Sequence, residues 1–270
     1  MKSCMELENE ALQVRRDIIE MLYHAGSGHP GGSLSIVDIL VCLYNKIHVN
    51  PEEPENEERD RVVLSKGHAA PALYAVLAEH NFFSNNEFKR LRKLGGMLQG
   101  HPDKNKTPGV DACTGSLGLG ISAACGMALA QKIQKTPHRV YAILGDGELQ
   151  EGIVWEAFTA AAHYELNNLM IIVDCNGLQI DGAVNQVMKL GNIKNRIESI
   201  GIRVEEIDGH NYTEINHVLN IEEKNRPVCI LAKTVKGKGI SYMENRAEWH
   251  GQKITEELYK VALKDLERKA

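Results

Sequence analysis

Two uninterrupted apolar runs, VYAILG (140–145) and LMIIVD (169–174), constrain most strongly what this chain can fold into. Each has the length of a strand rather than of a helix, and each runs into a turn: GDG after the first, NG after the second. A strand that is apolar along its length is covered on both faces. RVVLS (61–65), IRVEEID (202–208) and VCILAKTV (228–235) read as further strands. Helical periodicity occupies the intervals: over 6–23, through Ile36, Ile39, Leu40 and Leu43, from His68 onward, over 117–134, over 151–166 and around 212–224. Strands alternating with helices indicate an α/β fold, a mostly parallel sheet with helices on both faces. Ligands bind such sheets beyond the carboxyl ends of the strands, where the GDG and NG turns fall.

The connecting segments are SGHPGGSLS (27–35), read as a loop, an acidic proline-broken loop over 50–61, and a long functional loop over 236–253 before a final helix. There is no internal repeat and no low-complexity stretch, so residues 1–270 read as a single domain. The net charge is −5 with both signs interspersed, which leaves no basic stripe for nucleic acid or an anionic membrane. The charged N-terminal stretch has no apolar centre of the kind a secretion signal needs, and no apolar run is long enough to span a bilayer. The six cysteines form no CxxC pair and read as free thiols of a reducing, cytoplasmic compartment.

The turns carry the first chemistry. Asp146 in GDG offers a carboxylate, and Asn176 in NG offers a neutral amide oxygen; 28 residues lie between Gly147 and Asn176. That interval holds one crossover helix and one strand, so the two side chains can meet. Magnesium and calcium take oxygen ligands, and magnesium keeps phosphate oxygens and water in its shell. A single carboxylate with a neutral second ligand limits the negative charge beside a diphosphate. Glycines on either side of Asp146 let backbone approach a phosphate group, and the helix starting near Glu151 directs its N-terminus the same way. Four histidines stand beside glycine or proline: His29 in SGHPGG, His68 in SKGHAA, His101 in QGHPD and His250 in EWHG. Imidazoles in such loops can hold hydroxyls and move protons near neutral pH.

Taken in order, SGHPGG, LSKGHAAPALY, GHPD, TGSLGLG, GDGELQEGIVWEA, DCNGLQIDG and KTVKGKG with WHG resemble the diphosphate-binding segment of transketolases over essentially the whole chain. The resemblance implies the thiamine diphosphate-binding fold and a thiamine diphosphate cofactor with magnesium, or calcium or manganese. It implies that Asp146, the Asn176 side chain and the Leu178 carbonyl hold the metal. It implies cofactor contacts from His68, Gly115, Ser116, Leu117, Asp146, Gly147, Glu148, Asn176 and His250. His29, His101 and His250 would face the sugar as catalytic residues, and Glu151 and Glu156 resemble acids at a subunit interface. The implied reaction moves a two-carbon ketol unit from a ketose phosphate to an aldose phosphate. The chain ends at Ala270, soon after WHG, where transketolases continue into a pyrimidine-binding domain. A separate subunit is therefore expected to supply that half, in a heterotetramer of two chains of each kind. Three alternatives stand beside this reading: another thiamine diphosphate enzyme, which SGHPGG and GHPD argue against; a transketolase-like subunit for a branched or sulfonated sugar; and a non-catalytic cofactor-binding homologue.

Overall fold

The computed structural model describes residues 2–267. In chain order the elements are α1 (Cys4–Ala25), α2 (Pro30–Ser35), α3 (Val37–Tyr44), β1 (Arg61–Leu64), α4 (Ala70–Glu79), α5 (Leu119–Gln134), β2 (Val140–Gly145), α6 (Gly152–His163), β3 (Leu169–Cys175), β4 (Leu178–Gln179), β5 (Gly182–Ala183), α7 (Val184–Val187), α8 (Ile193–Ser199), β6 (Arg203–Asp208), α9 (Tyr212–Leu219), β7 (Val228–Lys233) and α10 (Glu256–Glu267). Five strands form one sheet in the order β1-β2-β3-β7-β6, all neighbours parallel. The small β4–β5 ribbon is antiparallel and stands apart.

Alternation along each strand divides the core in two. Val62, Leu64, Tyr141, Ile143, Met170 and Ile172 pack with α1, α3 and α4 on one face. Val63, Ala142, Leu144, Ile171 and Val173 pack with α5 and α6 on the other. Each fully buried aliphatic side chain contributes roughly 1.5–3 kcal/mol, so the expected two-sided burial is what holds the sheet. The edge strand β6 differs: Arg203, Glu205 and Glu206 leave it only partly covered. The long α1 starts on a capping box, in which Ser3 accepts the Glu6 amide and Glu6 accepts the Ser3 amide.

Local expectations are met or moved by identifiable causes. The 27–35 stretch is not all loop, because 30–35 is the buried helix α2. Pro30 occupies its first turn, where a missing N–H costs nothing. The helix expected from His68 is a 3-10 turn over Gly67–Ala69 and becomes α-helical at Ala70. The β4–β5 ribbon, α7 and α8 were not anticipated, since all four are short and largely polar or exposed. All six cysteines are free. No helix among the described residues is long and apolar enough to cross a membrane.

Candidate functional site

Strand register brings the two turns together. Gly145 pairs with Asp174 between β2 and β3, and Cys175 pairs with Lys233 between β3 and β7. Asp146 and Asn176 are the next residues out, so both leave the carboxyl end of the sheet side by side. Asp146 Oδ1 accepts the Gly147 amide at 2.8 Å and Oδ2 accepts the Gly177 amide at 2.6 Å. The Asn176 amide donates to Asp174 Oδ2 at 3.1 Å, and its oxygen accepts the Leu178 N–H at 3.1 Å. The three expected metal ligands thus share one compact knot of backbone. Burial, reinforced by the neighbouring Asp174 charge, pushes the Asp146 carboxyl up to about 6 against the pull of its two amide donors and Lys66.

Asp174 is the floor beneath this knot. It is completely buried and accepts from Lys66, from Thr234 and, at 2.5 Å, from Ser35. Lys66 also donates to the Gly32 carbonyl at 2.9 Å, which ties α2 to the end of β1. Burial raises the cost of the Asp174 charge, but the Lys66 ammonium and the hydroxyl donors outweigh it and lower its pKa. Removing either member of such a pair strands the other as a buried charge.

Around the knot opens a cavity of about 340 Å³, lined among others by Lys66, His68, Gly115, Leu117, Lys236 and His250 together with Asp146, Gly147, Asn176 and Leu178. Two of the four histidines, His68 and His250, line it, and His29 packs against both. The His29 ring centroid lies 5.3 Å from His68 and 5.2 Å from His250, and His68 lies 5.1 Å from His250. His101 is further out, 6.3 Å from His29, and is exposed. None sits inside an α-helix: His29 caps α2, His68 and His250 lie in 3-10 turns, and His101 is in a bend. Burial lowers the pKa of all four. Arg92, His101 and Lys236 add to this at His29, and Lys236, His29 and Lys66 add to it at His250, leaving each at about 4. His68 is driven well down by burial and then Lys66, and His101 is lowered by burial and Arg92. The buried His29 Nδ1 has no hydrogen-bond partner among the described residues.

Two expected cofactor contacts stand differently from the rest. Glu148 borders the cavity, yet its carboxylate is turned into the protein: it accepts from Ser65, from the Gly118 amide at 2.8 Å and from the Gly145 amide at 3.1 Å. These bonds join three loops at the edge of the cavity. The Ser116 side chain is exposed between its two lining neighbours. Glu151 and Glu156 are exposed on and just before α6.

Sequence reading passed over Lys66, Asp174 and Lys236. Lys66 is 1% exposed and Lys236 is 2% exposed, and Lys236 donates to the Leu178 carbonyl at 3.2 Å and meets His250 Nδ1 at 3.3 Å. Burial, with Lys66 nearby, lowers Lys236 to about 8. The available signal was a lysine beside glycine just past an apolar strand, in LSKG and TVKG, a place where a solvated lysine is the ordinary reading.

The residues fit a diphosphate carried by a hard cation. The donors are all oxygen, with one carboxylate, one amide and one carbonyl. Among the described residues no three His, Cys, Asp or Glu side chains are grouped to hold a metal, so the ligand's own oxygens would complete the shell. Two buried lysines and neutral imidazoles face the rest of the cavity.

Residues 8–266 match the family model described as transketolase, thiamine diphosphate binding domain. The chain is 42% identical over 98% of its length to the 6-deoxy-6-sulfo-D-fructose transketolase subunit SqwG of Clostridium sp. (strain MSTE9), and covers 97% of it. It is 39% identical over 97% of its length to an apulose-4-phosphate transketolase subunit of Phocaeicola vulgatus, covering 93%. With human transketolase it shares 40% identity, but it spans only 42% of that protein. The crystal structure of Campylobacter jejuni transketolase superposes with a TM-score of 0.92 at 34% identity, across 98% of this chain and 43% of that one. A family match over nearly the whole chain, full-length relatives near 40% identity and the same fold place this chain in the transketolase family, as a thiamine diphosphate binding domain.

Proposed function

We propose that this chain, acting as one domain over residues 1–270, is the diphosphate-binding subunit of a two-chain cytoplasmic transketolase. The observation that carries this reading is that the oxygen-donor residues Asp146, Asn176 and Leu178 line one cavity together with His68 and His250. When bound, thiamine diphosphate supplies the nucleophilic carbon and the electron sink for carbon–carbon cleavage. The chain does the rest. Asp146, Asn176 and the Leu178 carbonyl hold magnesium, or calcium or manganese. Gly147, His68, His250, Lys236 and the backbone of Gly115–Leu117 face the diphosphate. His29, His101 and His250 receive the sugar: each neutral imidazole has one N–H and one lone pair, so it can donate to one hydroxyl and accept from another.

The partner carries the pyrimidine-binding half, in a heterotetramer. Support comes from two relatives of matching length that are named transketolase subunits. Donor and acceptor are a ketose phosphate and an aldose phosphate. The same two names, one for a sulfonated ketose and one for apulose 4-phosphate, favour a second version in which the donor is an unusual sugar.

Two measurements test this. Turnover of xylulose 5-phosphate, sulfofructose or apulose 4-phosphate is expected only when the chain is mixed with its partner, and robust turnover by the chain alone overturns the two-chain reading. Asp146→Ala is expected to weaken thiamine diphosphate at least tenfold by calorimetry on the assembled enzyme, about 1.4 kcal/mol. An unchanged affinity removes Asp146 from the metal site.

A further inference from the structure

The segment after β7 reaches the cavity through one long side chain. The Lys236 ammonium is placed between the Leu178 carbonyl and His250, but Lys236 lies beyond the end of β7, so the sheet does not hold its backbone. A lysine has four rotatable side-chain bonds, and its head group is located only if its Cα is.

Besides the backbone bonds of the segment itself, among them the Asn245 amide to the Lys236 carbonyl at 2.9 Å, a buried side-chain network centred on Asp38 of α3 holds it. Asp38, 3% exposed, accepts two bonds from Arg15 of α1 at 3.0 and 2.6 Å, one from the Tyr212 hydroxyl at 2.6 Å and one from His210 Nδ1 at 2.7 Å. With Nδ1–H committed to Asp38, His210 presents Nε2 as an acceptor, and the Val235 amide donates to it at 2.9 Å. On the other side of Lys236, Arg15 Nε donates to the Lys238 carbonyl at 3.3 Å. Between the two tethers Gly237 is left-handed at φ 76° and donates to the Gly31 carbonyl at 3.0 Å. A Cβ on Gly237 would lie 2.5 Å from the Met243 carbonyl oxygen, so only glycine fits there. Both side-chain tethers flanking Lys236 therefore lead back to a single carboxylate.

We propose that His210 and Arg15, organised by Asp38, are positioning residues: they clamp the backbone of 235–238 so that Lys236 meets the diphosphate end of the cofactor. The inference rests on the reading of this cavity as the diphosphate site. It assigns a role to residues outside the lining of that cavity, which border a separate small cavity with Lys238 and Gly239.

Isosteric variants separate the two bonds of His210. His210→Asn keeps a donor near the Nδ1 position for Asp38 but withdraws the acceptor from Val235. His210→Gln restores an acceptor near the Nε2 position. In the full chain, hydrogen exchange at the Val235 and Gly237 amides is expected to quicken about tenfold in His210→Asn and to return toward the parent rate in His210→Gln, as the loss of one hydrogen bond implies. In the assembled enzyme, calorimetry with thiamine diphosphate and magnesium should show a dissociation constant raised roughly five- to tenfold in His210→Asn and rescued in His210→Gln. Equal exchange and equal affinity in both variants, or losses in both that merely follow melting temperature, overturn the clamp. Lys236→Met is the control for the underlying reading. If it leaves affinity unchanged, the diphosphate assignment of Lys236 falls, and the clamp's purpose with it. If it weakens affinity while His210→Asn does not, the clamp alone falls.

Discussion

His101 and His250 carry the same ring in different surroundings. His250 is partly buried against the Lys236 ammonium and lines the cavity, whereas His101 is exposed, beside His29. One substitution should therefore have two signatures. His101→Ala is expected to leave thiamine diphosphate affinity near the parent value and to lower kcat/KM for the ketose donor by roughly 10- to 100-fold, the consequence of one unpaired sugar hydroxyl at about 1–3 kcal/mol. His250→Ala should lose turnover and cofactor affinity together. Steady-state kinetics at saturating cofactor, with calorimetry beside it, separates them. If His101→Ala keeps the parent kcat/KM, His101 is a loop residue shaped by Pro102 and leaves the site.

Among the elements, the ends of β1 and β2 and the start of α5 meet on one side chain. Glu148 accepts from Ser65 just after β1, from Gly118 just before α5 and from Gly145 at the end of β2. A carboxylate matches this set of donors, while an amide presents an N–H₂ to one of them. Glu148→Gln is therefore expected to cost about 1–3 kcal/mol, the penalty for a buried donor left without an acceptor. The readout is a lower urea midpoint at unchanged slope. Because the same loops carry Gly115, Leu117 and Gly147 to the cavity, cofactor affinity should fall as well. A midpoint equal to that of the parent would mean that the three loops hold their places without Glu148.

Across the whole molecule, the helical layer on the α1 side is joined by Glu10. It accepts from Lys2 at 2.6 Å, from Asn45 after α3 at 2.9 Å and from His80 after α4 at 3.2 Å. Burial disfavours its charge, but the bonds from His80, Lys2 and Asn45 prevail and hold it at about 2, below its ordinary 4.5. Its folded pKa is depressed, so its contribution is complete above about 4.5 and is lost as pH falls toward about 2. Glu10→Gln should melt lower than the parent at neutral pH and lose less on acidification through that window. Parallel melting curves for the two proteins between pH 4.5 and pH 2 would show that Glu10 does not contribute to the acid sensitivity. Asp17 works in the opposite sense: burial, with Glu79 and Glu20 nearby, raises it to about 7 against a hydrogen bond from Gln13, so it favours the folded state at the acid end.

Much of this protein was legible in local sequence because its period and punctuation are local properties. Runs such as VYAILG and LMIIVD require strands covered on both faces, and the order of strand and helix then requires a parallel sheet with its site at one end. Asp146, Asn176 and the four histidines stand out as candidates because each sits in a turn whose glycine or proline marks it. Asp174 was hidden as the last residue of an apolar strand, and Lys66 and Lys236 were hidden because a lysine beside glycine ordinarily points to water. Glu148 also ties three loops together, a role set by the approach of Ser65, Gly118 and Gly145 from distant parts of the chain. His210 resembled any loop histidine until Asp38 and Val235 met it from distant parts of the chain. Period, turns and element order are set by neighbours in sequence, and these the sequence determined by itself. Which charges are buried, which partners they find and which backbone segment a hydrogen bond clamps are set by neighbours in space, and these only the tertiary structure decided.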